Sequence, residues 1–167
     1  MSLLLPDFLF ESVTEVVPSF LKCWELRLVL LDFDNTMLPY TTNEPDAALL
    51  AWIDRLKRAK IRLCIVSNSR KPRVTEFARK YNIPCVTNAG KPGARGIREA
   101  MKRFGVQPIE TALIGDQIYT DVLGAKRAGI TAIHVRSIHN HTFWLRARHL
   151  LEVPLLAVAR RRRPTKW

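Results

Sequence analysis

A chain of 167 residues, 47% hydrophobic and 25% charged, can enclose its own core and fits one domain. Its net charge of +12 is exceptional and points to anionic partners, whether phosphorylated substrates, nucleic acid or an anionic membrane surface. Three widely spaced cysteines (Cys23, Cys64 and Cys85) argue against a disulfide framework or zinc knuckle, and no apolar run approaches the roughly 18–20 residues of a spanning helix.

The first residues, up to Leu21, mix apolar side chains with acids and two prolines. Phe8, Phe10, Val13, Val16, Val17 and Phe20 are expected to pack onto the core, with a partner or membrane face as the alternative. The cysteine pattern fits a reducing compartment, and this leader lacks the basic start of a signal peptide, so a cytoplasmic setting with any membrane contact peripheral is expected. Leu28 to Leu31 then reads as a buried strand that ends in Asp32-Phe33-Asp34-Asn35-Thr36. If strand geometry persists, Asp32 and Asp34 share one side, and two crowded carboxylates are best tolerated beside a divalent cation. A solvated turn after a core strand would give the same pattern. Asn35 and Thr36 suit a local turn.

Asp46 can cap a helix carrying Leu49, Trp52, Ile53 and Leu56 at helical spacing. A second strand, Ile61 to Val66, ends at Ser67-Asn68-Ser69, and Pro72 opens a helix with Val74, Phe77, Ala78 and Tyr81 on one face. Pro84 to Thr87 is a short strand leading to Lys91-Pro92. A helix marked by Ile97, Ala100, Met101 and Phe104 stops at Gly105. Thr111 to Ile114 is the fourth strand, ended by Gly115-Asp116. Asp121 to Ala128 is a helix stopped by Gly129, and Ile130 to Val135 is the fifth strand. The alternation predicts an α/β fold: a five-stranded, Rossmann-like parallel sheet with helices on both faces. In such sheets the site lies at the carboxyl ends of the strands, where Asp32, Asp34, Ser67, Lys91 and Asp116 fall.

Those groups form a phosphate-handling set. A phosphomonoester dianion repels an attacking carboxylate, and a divalent ion held between carboxylates removes that repulsion. Asp32, at a rigid strand end, suits a nucleophile that forms an aspartyl-phosphate. Asp34 can protonate the leaving oxygen and later activate water. Lys91, Ser67 and backbone N–H groups near Asn68 can hold phosphoryl oxygens. Asp116 completes a metal site whose oxygen-only ligands favour Mg²⁺.

Asp32-Phe33-Asp34-Asn35-Thr36, Ser67-Asn68-Ser69, Lys91-Pro92 and Gly115-Asp116-Gln117-Ile118-Tyr119-Thr120-Asp121 together resemble the four motifs of haloacid dehalogenase (HAD) superfamily phosphatases, in order and spacing. The resemblance implies Asp32 as nucleophile and metal ligand, Asp34 as general acid/base and ligand through its backbone carbonyl, and Asp116 as metal ligand. It implies Ser67 and Lys91 as phosphoryl stabilisers, with Thr36 and Asp121 in support. The first and fourth motifs, with Pro6-Asp7 in the leader, further resemble the small capless subfamily of type IIIA, which includes bacterial and organellar phosphatidylglycerophosphate phosphatases.

Neither 39–60 nor 69–88 leaves room for a cap domain, so the site is expected to be open and suited to a phosphate presented on a lipid, protein or nucleic acid. The expected organisation is a phosphatase domain over 1–153, with 1–26 packed on it, and a basic tail over 154–167. In the C-terminal part Phe143, Trp144, Leu145, Leu150, Leu151, Leu155 and Leu156 interleave with Arg146, Arg148 and the run Arg160 to Arg163. On an anionic membrane that run alone is worth about 4 kcal/mol, roughly a thousandfold in affinity. Trp144 and Trp167 suit the headgroup level. The competing reading is a docked last helix and a solvated tail. Nucleic acid ranks below anionic phospholipid as a partner, because no recognisable binding motif accompanies the charge. His134, His139, His141 and His149 read as ordinary strand, loop and helix residues. Two alternatives stand beside a phosphatidylglycerophosphate phosphatase at the membrane: a phosphatase of other phosphorylated macromolecules or soluble phosphates, and a basic RNA- or ribosome-binding protein with vestigial catalysis.

Overall fold

The computed structural model describes residues 3–138 and 155–158. Strands β1 (Phe8–Phe10), β2 (Leu28–Leu31), β3 (Arg62–Val66), β4 (Cys85–Val86), β5 (Thr111–Gly115) and β6 (Thr131–Val135) form one sheet in the order β1-β6-β5-β2-β3-β4. Every pairing is parallel. From β2 the chain steps outward through β3 to β4, then returns to the other side of β2 as β5. The direction of winding therefore reverses between β2 and β5, where open α/β sheets place their ligands.

The parallel α/β architecture agrees with the sequence reading, but the sheet has six strands rather than five. The added strand is β1, at the edge, in register Phe8↔Ile133, Leu9↔His134 and Phe10↔Val135. It is too short to show an alternating pattern, and it is held by contacts from distant residues. The Asp7 carboxylate accepts the Ala132 N–H at 2.9 Å and also pairs with Lys126. Phe8 and Phe10 lie on one side of β1, since side chains alternate along a strand. Both meet Phe20 edge-on, at 4.9 and 5.1 Å between centroids, on helix α1 (Pro18–Cys23).

Two apolar layers sandwich the sheet. Val29 and Leu31 of β2 join the layer under α1, α2 (Ala47–Arg58) and α3 (Pro72–Lys80). Leu28 and Leu30 join the layer under α4 (Arg95–Phe104) and α5 (Leu123–Ala128). Leu155 and Leu156 pack against this second layer. Asp46 caps α2, accepting the Leu49 N–H at 2.7 Å. Trp52 on α2 is fully buried and donates its indole N–H to the Val16 carbonyl at 2.9 Å, tying the leader to the core. Trp52→Ala is expected to cost about 3–5 kcal/mol, to be read as the lost unfolding free energy in a denaturant titration.

The sequence suggests that the helix after the fourth strand starts at Asp121. In the structure α5 starts at Leu123, and Ile118–Val122 form a wider π turn. The N–H groups of Asp121 and Val122 both reach the Gln117 carbonyl, at 2.9 and 3.3 Å, while the Asp121 carboxylate accepts the Gln117 N–H. Such wide turns often mark functional sites, and this one carries Asp121 to the carboxyl end of the strands, beside Asp32 and Asp116.

Cys64 is buried, and burial pushes its thiol up to about 12, as expected of a core cysteine. Cys85 is half-buried and Cys23 exposed. No helix among the described residues is long and apolar enough to cross a membrane. Of the C-terminal features, Phe143, Trp144, Leu145, Arg146, Arg148, Leu150, Leu151, the run Arg160 to Arg163, Trp167, His139, His141 and His149 lie outside the described residues.

Candidate active site

Asp32 follows β2 and keeps its place in the sheet, donating its N–H to the Ile114 carbonyl of β5 at 2.9 Å. The chain then turns sharply. Asn35 takes a left-handed φ of 61°, a conformation asparagine tolerates better than most residues, and its N–H reaches the Leu38 carbonyl at 2.7 Å. The N–H groups of Met37 and Leu38 both return to the Phe33 carbonyl. This turn keeps Asp34 and Thr36 buried at the strand end.

Four other elements deliver their groups to the same place. The Lys91 ammonium donates to Asp32 Oδ1 and Asp121 Oδ1, each at 2.6 Å. The Thr36 hydroxyl donates to Asp116 Oδ1 at 2.9 Å and lies 3.5 Å from Asp32 Oδ2. Carboxylate oxygens of Asp32, Asp116 and Asp121 all lie within 4.8 Å of one another. Gly115 permits this crowding, because a Cβ there would collide with the Asp121 carboxyl group. Ser67, after β3, is buried, and its hydroxyl oxygen accepts the Ser69 N–H at 3.1 Å. Asn68 clasps the lysine loop from both sides: its amide nitrogen donates to the Lys91 carbonyl and its amide oxygen accepts the Lys91 N–H, each at 2.8 Å. The side chain of Asn68 therefore orients Lys91, leaving its backbone as the part suited to a phosphate.

Electrostatics follow from burial. Desolvation pushes the Asp32 carboxyl up to about 6, with Lys91 pulling against the rise and Asp121 adding to it. Asp116 is raised well above the ordinary carboxylate range, first by burial and then by Asp32 and Asp121, against the hydroxyls of Thr36 and Ser137. Burial alone would lower the Lys91 ammonium, but Asp121 and Asp32 hold it above its ordinary value. Of the four carboxylates, Asp32 and Asp121 pair with Lys91 and Asp34 pairs with Arg73, while Asp116 is held by the Thr36 hydroxyl. A divalent cation fits this donor set, which is all oxygen and short of positive charge.

The Asp34 carboxylate stands apart from the acidic triad and pairs with Arg73 at 2.7 Å. Arg73 and Tyr40 lie near the site, and the sequence reading gives neither a role. The phenol of Tyr40 is pushed up to about 12, by burial first and then by Asp34, Asp32 and Asp116, and its ring centre lies 6.0 Å from the Arg73 guanidinium. Arg73 sits in the first turn of a helix opening at a strand end, a position that projects side chains over the site. The reading of α3 by its apolar face leaves Arg73 out.

The family description "haloacid dehalogenase-like hydrolase" matches residues 40–129, just over half of the sequence and including Ser67, Lys91, Asp116 and Asp121. The chain belongs to the haloacid dehalogenase-like hydrolases. This HAD hydrolase is 28% identical over 164 residues to the "Probable phosphatase YqeG" of Bacillus subtilis (strain 168), covering 98% of this chain and 95% of that one. A local segment of 46 residues is 48% identical to the phosphoserine phosphatase of Thermus thermophilus, but spans 28% of this chain and 18% of that enzyme. Among solved structures, the HAD hydrolase resembles the cobalt-bound deoxy-D-mannose-octulosonate 8-phosphate phosphatase of Haemophilus influenzae, with a TM-score of 0.56 and 18% identity over 83% of this chain and 93% of that one. A HAD superfamily (subfamily III A) hydrolase from Legionella pneumophila has the same TM-score of 0.56, with 13% identity over 86% and 94% of the two chains. At these identities the structural likeness speaks for the fold. Among the described residues no cap domain is inserted: residues 32–46 join β2 to α2, and residues 67–71 join β3 to α3, without an added unit.

Proposed function

We propose that this HAD hydrolase is a phosphomonoesterase that works through an aspartyl-phosphate on Asp32, with phosphatidylglycerophosphate at a membrane surface as its substrate. The observation that carries the phosphatase reading is the buried cluster in which Lys91 bridges Asp32 and Asp121 beside Asp116. A carboxylate attacks a phosphate dianion only where positive charge is concentrated, and these three carboxylates around Lys91 would hold the divalent cation that supplies it.

In the first step an Asp32 carboxylate oxygen attacks phosphorus. The new P–O bond forms as the ester P–O bond breaks, and Asp34 gives its proton to the departing oxygen. In the second step Asp34, now a carboxylate, takes a proton from the water that attacks phosphorus. The P–O bond to Asp32 breaks and inorganic phosphate leaves. Lys91, the Ser67 hydroxyl and the Asn68 backbone N–H hold the phosphoryl oxygens throughout. Asp32, Asp116 and the Asp34 backbone carbonyl, with Asp121 beside them, would hold Mg²⁺, which supplies the charge that offsets the phosphate dianion.

The lipid substrate is supported by the subfamily resemblance, the net charge of +12 and the missing cap, which leaves nothing among the described residues to enclose a small metabolite. Against the rise that burial causes, exposed Lys71 acts on Asp34, drawing its carboxyl down, and favours an anionic surface there. On this reading residues 1–153 form the catalytic domain, 154–167 add membrane affinity, and the protein acts from the cytoplasmic side as a peripheral enzyme.

Phosphate release from phosphatidylglycerophosphate in mixed micelles, compared with soluble sugar, aryl, peptide and nucleotide phosphates, tests the reading. The lipid is expected to be preferred by at least about tenfold in kcat/KM, over 1 kcal/mol of discrimination. A soluble ester turned over faster would overturn the lipid assignment and leave a phosphatase of another substrate. Turnover of nothing, together with tight RNA binding at physiological salt, would overturn the enzyme reading in favour of a basic RNA- or ribosome-binding protein.

A further inference from the structure

Arg73 holds the general acid/base from outside the motifs. Its Nη1 donates to Asp34 Oδ1 at 2.7 Å. Its Nη2 donates to two backbone carbonyls of the loop after the first motif, Pro39 at 3.0 Å and Thr42 at 2.7 Å. The guanidinium lies 5.2 Å from the centre of the Phe33 ring, and the pair with Asp34 is nearly closed to water, with each side chain 11% exposed. The same loop is tied to α3 a second time, where Lys80 pairs with Glu44 at 2.9 Å.

Two features of this arrangement matter. Arg73 takes one oxygen of Asp34 and leaves Oδ2 without a hydrogen bond among the described residues, so the carboxyl group is fixed in rotation while one oxygen stays available to a reacting group. In addition, both Nη atoms of Arg73 are already engaged by the protein and the side chain is walled by Phe33, which disfavours a direct role in binding phosphate.

We propose that Arg73 is the positioning residue of this active site, aiming Asp34 Oδ2 at the leaving oxygen and holding the 39–44 loop in place around it. This rests on the assignment of Asp34 as general acid. Lysine cannot replace Arg73, because one ammonium cannot hold acceptors on two sides of a planar fork.

The test compares wild type, R73A, R73K, D34N and R73A/D34N on two esters, p-nitrophenyl phosphate and an alkyl phosphate such as glycerol phosphate. An alkoxide needs its proton in the transition state and a nitrophenolate does not. If Arg73 aims the acid, R73A loses about 100-fold in kcat/KM on the alkyl ester and only a few-fold on the aryl ester. R73K shows the same skew, and as it keeps the charge and stem it carries the test if R73A does not fold. The double variant is no worse than D34N, since both changes remove one function. The inhibition constant for inorganic phosphate stays within about threefold, because Arg73 is not the phosphate ligand. Equal losses on the two esters, additive effects in the double variant, or weakened phosphate inhibition in an active series would overturn the Arg73 assignment alone. A wild-type protein inactive on both esters would instead overturn the phosphatase reading beneath it.

Discussion

Asp32→Asn is expected to lower phosphatase turnover by at least about 10⁴-fold, because removing a covalent nucleophile removes the pathway rather than weakening one contact. The variant should nonetheless fold, and without metal it should melt higher than the wild type. Asp32 is raised by burial to about 6 from an ordinary 3.8. A carboxyl whose folded value is raised favours the fold when protonated, so the ionised group costs stability as pH climbs from about 4 through about 6. Asparagine has no such charge. The gap in melting temperature between variant and wild type, measured in chelator, should therefore open between pH 4 and 6 and stay level above. A variant that keeps its turnover would remove Asp32 from the chemistry, and a gap that is flat with pH would remove the cause assigned here.

Mg²⁺ should stabilise the wild-type protein strongly and in a pH-dependent way. A ligand present at about 100 times its dissociation constant adds about 2.7 kcal/mol, which for a chain of this size raises the melting temperature by about 5–10 °C. Asp32 and Asp116 are both raised, and both must ionise to bind a cation, so the shift should be large at pH 7.5 and much smaller at pH 5. Asp116→Asn should lose the shift and the turnover together. Asp34→Asn should lose turnover and keep the shift, because the Asp34 carboxylate lies with Arg73 and outside the Asp32, Asp116 and Asp121 cluster. Thermal melts of the three proteins with and without Mg²⁺ decide this, and loss of the shift in Asp34→Asn would mean that its carboxylate binds the metal.

Much of this site was legible in the sequence because it is written at strand ends. Continuous apolar runs in 28–31 and 111–114 mark buried strands, and whatever polar residue follows such a run is placed by the sheet, as Asp32 and Asp116 are. The residues that stayed hidden are placed by other forces. β1 has three residues and depends on Asp7 meeting Lys126 and Ala132, 119 and 125 residues away in sequence. The π turn at 118–122 depends on where the Asp121 carboxylate finds donors, which helical periodicity does not record. Arg73 is one charged residue among many in a strongly basic chain, and only the folded turn at Phe33 to Leu38 shows that it faces Asp34. Asn68 was legible as part of its motif, but its amide was not legible as a clasp on Lys91.

Trapping the covalent intermediate tests the central claim most directly. The wild-type protein is quenched in acid during turnover of an aryl phosphate, the acyl-phosphate is reduced with borohydride, and the peptide spanning residues 28–38 is sequenced by mass spectrometry. Conversion of Asp32 to homoserine, absent when substrate is omitted, is the expected result. Steady turnover with Asp32 unmodified, or reduction at a different carboxylate, would contradict it.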